Sequence, residues 1–567
     1  RLSFTAIGSK IDFHDYSHDW KLAPQGDVRK FDRGYNLSVV WTHTLSANSF
    51  YNADLSYFYK GFKEHLYENP FDPNYIIDPS SVEQFQKGAY EFNHGGTNLH
   101  RFERRTETRV GKIDYTNQVS KLHEIKAGLE GKLHRLYLED YSLIPLQTTG
   151  GSYVPAIPAD TTAEYEQYTE KPVEFSAYIQ DKLEYERMIV NIGFRYDYFN
   201  SKGNVLADPY DPNVYNPQKE ENKALTLDQR LQKWYKKASA KSLFSPRFGI
   251  SYPITDRGIL HFSYGHFLQI PSFIHLYQKP WYKVTTASGT QGVYGNPDLN
   301  AQKTVMYEFG LQQQISDHLS FDLTGFYRDT RDWVTTSPQI PVRDSTGQTS
   351  TSYYTIYKNQ DYANSRGLTL TIDKRTANLW SLNLSYTIQI AEGVNSNPDD
   401  AYRGFLDNKE PARSLTPLDW DQVHTANLTL GIGENDWGVF FLGRFGSGLP
   451  YTPVINQADQ RGQDVARGVQ SNSRRRPENY SVDVRLFKNF KLAPVSFSAF
   501  IKIFNLLDRR NEITVYGETG RATATPENLG AGNISPQGRI NSIASYLNRP
   551  DFYSEPREIQ FGIEAEF

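Results

Sequence analysis

Two histidines near the N-terminus have a spacing that can bind a metal ion. His14 and His18 stand four residues apart, with Asp12, Asp15 and Asp19 beside them. On a helix, this spacing places both imidazoles on one face, where a transition metal can bind. No helical pattern surrounds the pair, so a solvated polar loop is the simpler interpretation and no metal site is predicted.

Two further acidic groups have the ligand chemistry of Ca²⁺. Asp208, Asp211, Asp399 and Asp400 lie in segments rich in Pro and Asn. Carboxylate oxygens are ligands that Ca²⁺ prefers, but Asp and Asn beside Pro also initiate turns. A loop-bound Ca²⁺ is therefore kept as a hypothesis beside turn formation, and no other cofactor is predicted.

Four aromatic residues are the candidates for ligand contact: Trp281, Tyr282, Tyr294 and Trp333. Exposed aromatic rings can stack on sugars, on planar chelators or on peptides. The alternative is that they lie in an aromatic belt at a membrane surface. A run of three arginines, Arg474–Arg476, can pair with lipopolysaccharide phosphates or with loop carboxylates. A solvated entry to a strand is the alternative interpretation.

The signatures of common enzymes are missing from the sequence. It has no Gly-x-Ser-x-Gly, no His-Glu-x-x-His and no Walker-A loop, which are the motifs of serine hydrolases, zinc proteases and nucleotide-binding enzymes. Cysteine is absent, which excludes disulfides, thiolate metal sites and Cys nucleophiles. We therefore predict that the chain is not an enzyme.

Composition narrows the class of protein further. The 567 residues carry 61 basic and 65 acidic side chains, a formal net charge of -4, so no nucleic-acid partner is implied. Mean hydropathy is -0.62, and no run of 18 apolar residues exists that would predict a helical membrane span. The 39 Tyr, 33 Phe and 8 Trp are an excess that calls for an explanation.

Alternation of apolar and polar residues is the main secondary-structure signal. Between Trp380 and Ala391, and again between Glu558 and Phe567, every second residue is apolar and those between them are mostly polar. This period of two predicts strands that lie between two different media. A short helix is predicted in one loop, Thr226–Lys237, from the spacing of its apolar residues.

The pattern predicts 18 strands, joined alternately by short turns and by long loops of roughly 20 to 50 residues. A transmembrane antiparallel up-and-down β-barrel explains this alternation, because its turns on one side are short and its loops on the other are long. The aromatic excess then forms two belts at the membrane surfaces. We predict one barrel over residues 1–567, with a soluble all-β protein as the alternative. The predicted strands begin near Leu2, Phe31, Ser49, Phe102, Leu122, Ala163, Arg187, Ser242, Arg257, Gln302, Leu319, Ala363, Asn378, Asp419, Trp437, Arg476, Val495 and Glu555.

The second half of the chain resembles the barrel of TonB-dependent outer-membrane receptors, in particular the type found in Bacteroidota. The matching segments follow in the family's order, and Asn300–Gln302 departs from the family's usual Lys-Pro-Glu. The terminal alternation that ends at Phe567 resembles the signal read by the outer-membrane assembly machinery. The segments are Ser245–Asp256, His261–Phe267, Gly295–Leu299, Tyr307–Leu311, Asn364–Leu368 and Ile503–Asp508.

The resemblance implies a 22-stranded barrel around an N-terminal plug, preceded by a segment that TonB binds. Only 18 strands are predicted here, so we expect four strands and the plug to precede Arg1. A closed 18-stranded barrel with a porin-like bore is the alternative.

The resemblance also implies a function in the bacterial outer membrane, namely TonB-dependent uptake of a scarce solute such as a siderophore, vitamin, glycan or peptide. A passive channel and a structural barrel that binds a surface lipoprotein remain alternatives. Lipopolysaccharide and membrane lipid are expected partners. Charged residues on the polar strand faces, such as Lys126, Glu130 and Lys132, are expected to line the lumen.

Overall fold

A 22-stranded sheet dominates the fold, and its long strands pair in antiparallel fashion. The computed structural model describes residues 1–85, 88–407, 414–454, 469–492, 494–531, 534 and 538–566. Eighteen strands of the sheet are long enough to form the barrel wall, and each pairs with the next long strand in the chain. The predicted fold class is confirmed.

The wall strands are labelled β1 to β18 in chain order. They are Leu2–Phe13, Arg29–Ser46, Ser49–His65, His100–Gln118, His123–Ser142, Val173–Tyr185, Met188–Asn200, Lys241–Thr255, Gly258–Gln269, Gln302–Ser316, Leu319–Thr336, Thr349–Ala377, Trp380–Gly393, His424–Gly433, Trp437–Gly446, Asn479–Leu492, Val495–Phe504 and Glu558–Glu566.

The other strands lie in the long connections. Four belong to the main sheet: Tyr165–Glu170, Gly289–Tyr294, Ile340–Arg343 and Thr416–Pro417. Six form separate two-stranded pairs: Ile144–Gln147 with Tyr153–Ala156, Asn204–Leu206 with Tyr235–Lys237, and Pro450–Tyr451 with Arg474–Arg475.

Short helices also occur only in these connections within the described part of the chain. They are α1 Pro79–Phe85, α2 Glu220–Lys223, α3 Leu227–Trp234, α4 Phe273–Tyr277, α5 Asp400–Leu406 and α6 Ile543–Leu547, with 3₁₀ turns at Pro24–Gly26 and Pro550–Phe552. Helix α3 confirms the predicted loop helix. It begins at a capping box, in which Thr226 Oγ1 accepts from the Gln229 amide and Gln229 Oε1 accepts from the Thr226 amide. None of the described helices has the length and apolar character that crossing a membrane requires.

Most wall strands have one face with exposed apolar side chains and one polar face, whereas β4 has only Ile113 among its large exposed apolar residues. On β2, Leu37, Val39 and Trp41 are exposed, whereas the residues between them are half-buried. The apolar face is the outward, lipid-facing one, since inward-pointing groups are shielded by the curvature of the wall. The predicted alternation is therefore confirmed.

Three predicted strand starts are wrong, each for a local reason. The sixth begins at Val173 rather than near Ala163, because Pro172 cannot continue the ladder and Tyr165–Glu170 is a separate strand. The twelfth begins at Thr349 rather than near Ala363, because its first part pairs with the loop strands Gly289–Tyr294 and Ile340–Arg343. The fourteenth begins at His424 rather than near Asp419, because a turn precedes it.

The predicted alternation of short and long connections is also found. Wall strands meet at one end in tight turns, such as the one between Ser46 and Ser49, and at the other end in long loops. The turn between β12 and β13 places Asn378 and Leu379 at positive φ, 53° and 72°. The turn between β16 and β17 includes residue 493, which lies outside the described residues.

Strands β1 and β18 are the edges of the sheet. Among the described residues, β1 pairs only with β2 and β18 only with β17. The alternative of an 18-stranded barrel closed by pairing of its first and last strands is therefore not the arrangement found. On the extracellular side, loops bridge this seam: a His18 ring nitrogen lies 2.7 Å from the Tyr546 carbonyl oxygen, and the Phe92 amide donates to Asn541 Oδ1 at 3.0 Å.

Candidate ligand-binding site

The two largest buried apolar clusters of the described residues lie at the extracellular end of the barrel, in the long loops and in the wall strands beside them. Four segments fold together into a unit that we call the cap, defined as residues 143–172, 201–240, 270–301 and 337–358. Three tyrosine rings form its centre. Tyr282 and Tyr294 stack at a centroid distance of 5.4 Å, and Tyr354 meets Tyr294 edge-on at 5.5 Å. Fully burying side chains of this size stabilises a fold by about 1.5–3 kcal/mol each.

The hydroxyl groups of the cap tyrosines connect its segments. Tyr354 Oη donates to the Pro209 carbonyl oxygen at 2.6 Å, and Tyr277 Oη donates to that of Ser201, also at 2.6 Å. Each bond joins segments far apart in the chain and satisfies a hydroxyl on a buried side chain. The cap is therefore a packed unit and not a set of separate loops.

Helix α4 attaches the cap to the inner side of the wall. Leu276 and Tyr277 belong to the same buried cluster as Leu136 and Leu138 of β5 and Phe199 of β7. These wall residues share a strand face with Lys132 and with Arg195, on the polar side of the sheet. The segment 270–301 thus lies against the lumen side of the wall and narrows the extracellular mouth.

The structure places the four predicted ligand residues in two separate groups. Tyr282 and Tyr294 are 3 % and 2 % exposed, so neither ring is available to a ligand while the cap keeps this arrangement. Trp281 is half-buried, its indole nitrogen donates to the Gln167 carbonyl oxygen at 3.1 Å, and its ring lies edge-on to Tyr235. Contact with a ligand stays a prediction for all four residues.

Trp333 lies apart from this group, near the end of β11. Its ring stacks on that of Trp420 at 5.9 Å, and Trp420 is 44 % exposed. The stacked pair offers an aromatic surface that the sequence analysis missed. Trp420 is 87 residues further along the chain, so no local signal connected the two.

Charged groups surround the crevice beside Trp281. Glu166 Oε1 accepts a hydrogen bond from the Lys279 amide at 2.7 Å, and burial raises the pKa of Glu166. Lys283 Nζ donates to the Tyr165 carbonyl oxygen at 2.7 Å, and burial lowers the pKa of Lys283. Two lysines and one carboxylate therefore flank the Trp281 ring.

The polar face of the wall carries ion pairs, as expected for a hydrated lumen. Lys132 Nζ lies 3.1 Å from Glu130 and 3.5 Å from Glu174. Arg195 Nε donates to Asp197 Oδ1 at 2.8 Å. These charges are mutually satisfied, so they support a lumen without selecting a ligand.

The histidine pair does not form a metal site in this structure. His18 uses both ring nitrogens, one toward Tyr16 Oη at 2.9 Å and the other toward the Tyr546 carbonyl oxygen. His14 lies 3.8 Å from Asp27. Over the described residues, no group of three or more metal-ligating side chains converges.

The aspartates proposed for Ca²⁺ accept hydrogen bonds from protein donors. Asp208 accepts from the Tyr210 amide and from Lys219 Nζ, and Asp211 accepts from the Gln218 amide. Asp400 accepts from the amides of Ser396 and Asn397, which precede α5. These bonds support the turn-forming interpretation, and Ca²⁺ binding stays an untested hypothesis.

Arg475 pairs with a loop carboxylate, which is one of the interpretations given for the arginine run. It contacts Asp421 Oδ2 at 2.5 Å and donates to the Asp421 carbonyl oxygen at 2.6 Å. Arg476 donates to the Ile513 carbonyl oxygen. Phe567, the proposed assembly signal, lies outside the described residues.

A family model for the TonB-dependent-receptor-like β-barrel matches residues 4–506. The chain belongs to this family. The barrel lies in the bacterial outer membrane, as the resemblance implied, and the family is one of receptors and not of enzymes. No curated protein matches the sequence.

Solved structures with the same fold have very different sequences. The outer membrane transporter YddB from Escherichia coli has a TM-score of 0.59 at 14 % identity over 90 % of this chain and 62 % of its own. The FrpB iron transporter from Neisseria meningitidis (F5-1 variant) has 0.54 at 12 %, over 90 % and 66 %. The ferric citrate transporter FecA has 0.54 at 12 %, over 95 % and 62 %. The chain thus spans less than two thirds of their length.

Proposed function

We propose that this barrel is the membrane part of a receptor that captures a scarce solute and takes it up with energy delivered through TonB. The packing of the cap on the lumen side of β5 and β7 carries the proposal. A folded unit at the mouth fits capture of a ligand by an ordered surface better than it fits free diffusion through an open pore. Membership of the receptor family supports the same function.

The substrate class stays broad. The solved relatives include an iron transporter and a ferric citrate transporter, which favours an iron chelate as the first candidate to test. Their identity of 12 % supports a common fold and does not select a ligand. Vitamins, glycans and peptides therefore remain in the set of candidates.

We propose Trp281 as the first ligand contact to test, with Lys279 and Lys283 beside it. Its ring is half-buried, whereas the rings of Tyr282 and Tyr294 are buried, so its exposed part can stack on a planar or sugar ligand. The Trp333–Trp420 pair is a second aromatic surface for the same ligand. Tyr282 and Tyr294 hold the cap in shape, and they can touch a ligand only if the cap opens.

An uptake assay in whole cells tests the function. Uptake of a radiolabelled iron chelate should require both this protein and TonB. The Trp281→Ala variant should reduce uptake about tenfold or more if the ring contributes an aromatic contact of about 1.5 kcal/mol. Trp437→Ala is the matched control, because Trp437 lies beside a short turn at the opposite end of the wall.

The two alternatives give different results in the same experiments. A passive channel would conduct ions in a planar bilayer and would support uptake in cells that lack TonB. A structural barrel would show no uptake defect on deletion of its gene and would co-purify with a surface lipoprotein. Either result would refute the proposed receptor function.

A further inference from the structure

The wall is open between β8 and β9 at its extracellular end. The two strands pair from their short turn as far as Arg247 and Gly265. Beyond these residues, β8 continues to Lys241 but pairs only with β7, and β9 continues to Gln269 but pairs only with β10. We call this opening the lateral window; it lies between residues 242–246 of β8 and residues 266–269 of β9.

Pro246 explains where the pairing stops. Proline has no amide hydrogen to donate, and within sheets it is confined to edges and bulges. Pro246 still lies opposite Phe194 of β7, so the free edge of β8 is the one that faces β9. The three residues Ser242, Leu243 and Phe244 are all exposed, as expected for a strand with one unpaired side.

The position of the window along β8 places it at the outer surface of the membrane. A spanning strand needs about 9–11 residues, and the stretch Arg247–Thr255, which pairs with β9, is already of that length. At about 3.3 Å per residue, the unpaired stretch 242–246 gives an opening roughly 16 Å long.

Contacts above and below the lateral window hold its two sides in place. Above it, Asp298 of the cap accepts from the Ser239 amide and from Lys241 Nζ, both at 2.9 Å, which connects the start of β8 to the segment that leads into β10. Below it, the guanidinium of Arg247 lies over the Phe267 ring of β9 at 4.7 Å. The opening is therefore bounded on all sides and is not a pair of frayed strand ends.

A cavity of about 830 Å³ beneath the cap reaches the lateral window. Its lining includes Lys132 and Asp197, which stand on the polar, lumen-facing side of the wall. It also includes residues on both sides of the window, namely Leu243 and Phe244 of β8 and Leu268 of β9. The cavity thus connects the lumen with the lipid-facing side of the wall.

The window is apolar from one face of β8 to the other. Phe244 is 63 % exposed on the outward face, where its ring lies beside those of Phe194 and Tyr196. The adjacent Leu243 points to the opposite face and is also exposed. A hydrocarbon chain that passes through the window can therefore stay in contact with apolar groups.

The lumen end of the cavity is polar without an excess of positive charge. Lys132 is paired with Glu130 and Glu174, and Arg195 is paired with Asp197. This arrangement favours an uncharged or zwitterionic group over an anion. Gln269 is exposed at the edge of the cavity, and its side chain makes no hydrogen bond within the described part of the chain.

We propose that the lateral window binds an amphiphilic solute with a single hydrocarbon chain and an uncharged or zwitterionic head. The head would occupy the cavity beneath the cap, beside Gln269. The chain would pass Leu243 and Phe244 and extend into the outer leaflet, so the solute can reach the lumen without exposing its chain to water. The site is argued from the wall alone and does not depend on the proposed uptake function.

The absence of cysteine from the chain allows the opening itself to be measured. Phe244 and Leu268 would lie opposite each other if the ladder continued. The double variant Phe244→Cys/Leu268→Cys should stay unlinked under mild oxidation, because a disulfide needs Cα atoms within about 7 Å. The matched pair Tyr252→Cys/Leu260→Cys, which lies opposite in the ladder, should link. Equally rapid linking of both pairs would show a closed wall and overturn the proposal.

Photo-labelling of the full-length protein in lipid nanodiscs tests the ligand. The probe is lysophosphatidylcholine with a diazirine near the head end of its chain. Labelling should be saturable and concentrated on residues 242–246 and 266–270. An excess of unlabelled lysophosphatidylcholine should compete with the probe, whereas glycerophosphocholine, which has no chain, should not. Labelling spread evenly along the wall, or equal competition by glycerophosphocholine, would overturn the proposal.

A variant that fills the window gives the matched comparison. Leu243→Trp should lower the saturable labelling about tenfold or more, since excluding two or three methylene groups weakens binding by such a factor. Leu442→Trp is the control, because Leu442 shares the polar face of β15 with paired neighbours on both sides, and it should label like the wild type. Heat-modifiable migration on gels should show that both variants are folded. Unchanged saturable labelling of folded Leu243→Trp would contradict the proposed site.

Discussion

The contact between Arg475 and Asp421 offers a sharp test of how the loops are held to the wall. The Asp421 carboxylate is 2 % exposed. One of its oxygens contacts Arg475, and the other accepts the Ala391 amide of β13 at 2.7 Å. Arg475 also donates to the Gly448 carbonyl oxygen. One guanidinium therefore connects its own segment to the segment of Asp421, which precedes β14, and to that of Gly448, which follows β15.

Replacing Arg475 with Met keeps the aliphatic stem and removes the charge. The carboxylate of Asp421 is then buried without a cation, which typically costs about 3–5 kcal/mol. Because the Arg475 side chain is 37 % exposed, water replaces part of the lost contact, and we expect the lower end of that range, about 3 kcal/mol. A loss of this size corresponds to roughly a hundredfold increase in local opening.

Hydrogen exchange of the protein in detergent micelles measures this opening at the Ala391 amide. In Arg475→Met, peptides that contain Ala391 and Asp421 should exchange about a hundredfold faster, while peptides from β2 to β5 should not change. Arg474→Met is the matched control, since the exposed Arg474 side chain makes no hydrogen bond or ion pair with the described residues and the backbone pairing with Tyr451 is kept. If exchange at Ala391 stays within twofold of the wild type, or if Arg474→Met accelerates it equally, the reasoning is refuted.

Three further predictions concern the cap. Burial raises the pKa of Glu170 to about 7, so the folded cap is most stable when this carboxyl is protonated and loses stability as the pH rises toward and through 7. Glu170→Gln should therefore raise the free energy of cap opening at pH 8 by up to about 3 kcal/mol, which protease cleavage of the cap would show as a slower rate. At pH 4 the same variant should change the cleavage rate little. Tyr354→Phe removes the donor to Pro209 and should cost about 1 kcal/mol in the same assay. Thr226→Ala removes the N-terminal capping side chain of helix α3 and should lower the stability of this helix by about 1 kcal/mol, seen as faster hydrogen exchange at the Gln229 amide.

The wall could be predicted from sequence because its rule is local. A strand between lipid and water needs only an alternation of apolar and polar residues. Residues such as Leu382 and Leu384 show this alternation within a few positions. The same rule failed at Lys171–Pro172 and at Thr349, where a proline and a loop pairing decide the strand boundary.

The cap could not be predicted in the same way, because its contacts join distant parts of the chain. Tyr282, Tyr294 and Tyr354 were recognisable as aromatic residues in loops, but nothing near them indicates that they stack on one another. The burial of Tyr282 and Tyr294 separates them from Trp281, with which sequence alone grouped them.

Among the described residues, β1 and β18 each leave one edge of the sheet unpaired, and these two edges limit what can complete the wall. β1 runs from its turn side at Leu2 to its loop side at Phe13, and β18 runs in the opposite direction from Glu558. About half of the N–H and C=O groups of each edge point away from its partner, and in hydrocarbon each unsatisfied group costs several kcal/mol. Because the edges are antiparallel to each other, antiparallel strands can fill the seam only in even numbers. With an odd number, two neighbouring strands would run parallel, and the regular alternation of short turns and long loops would be lost.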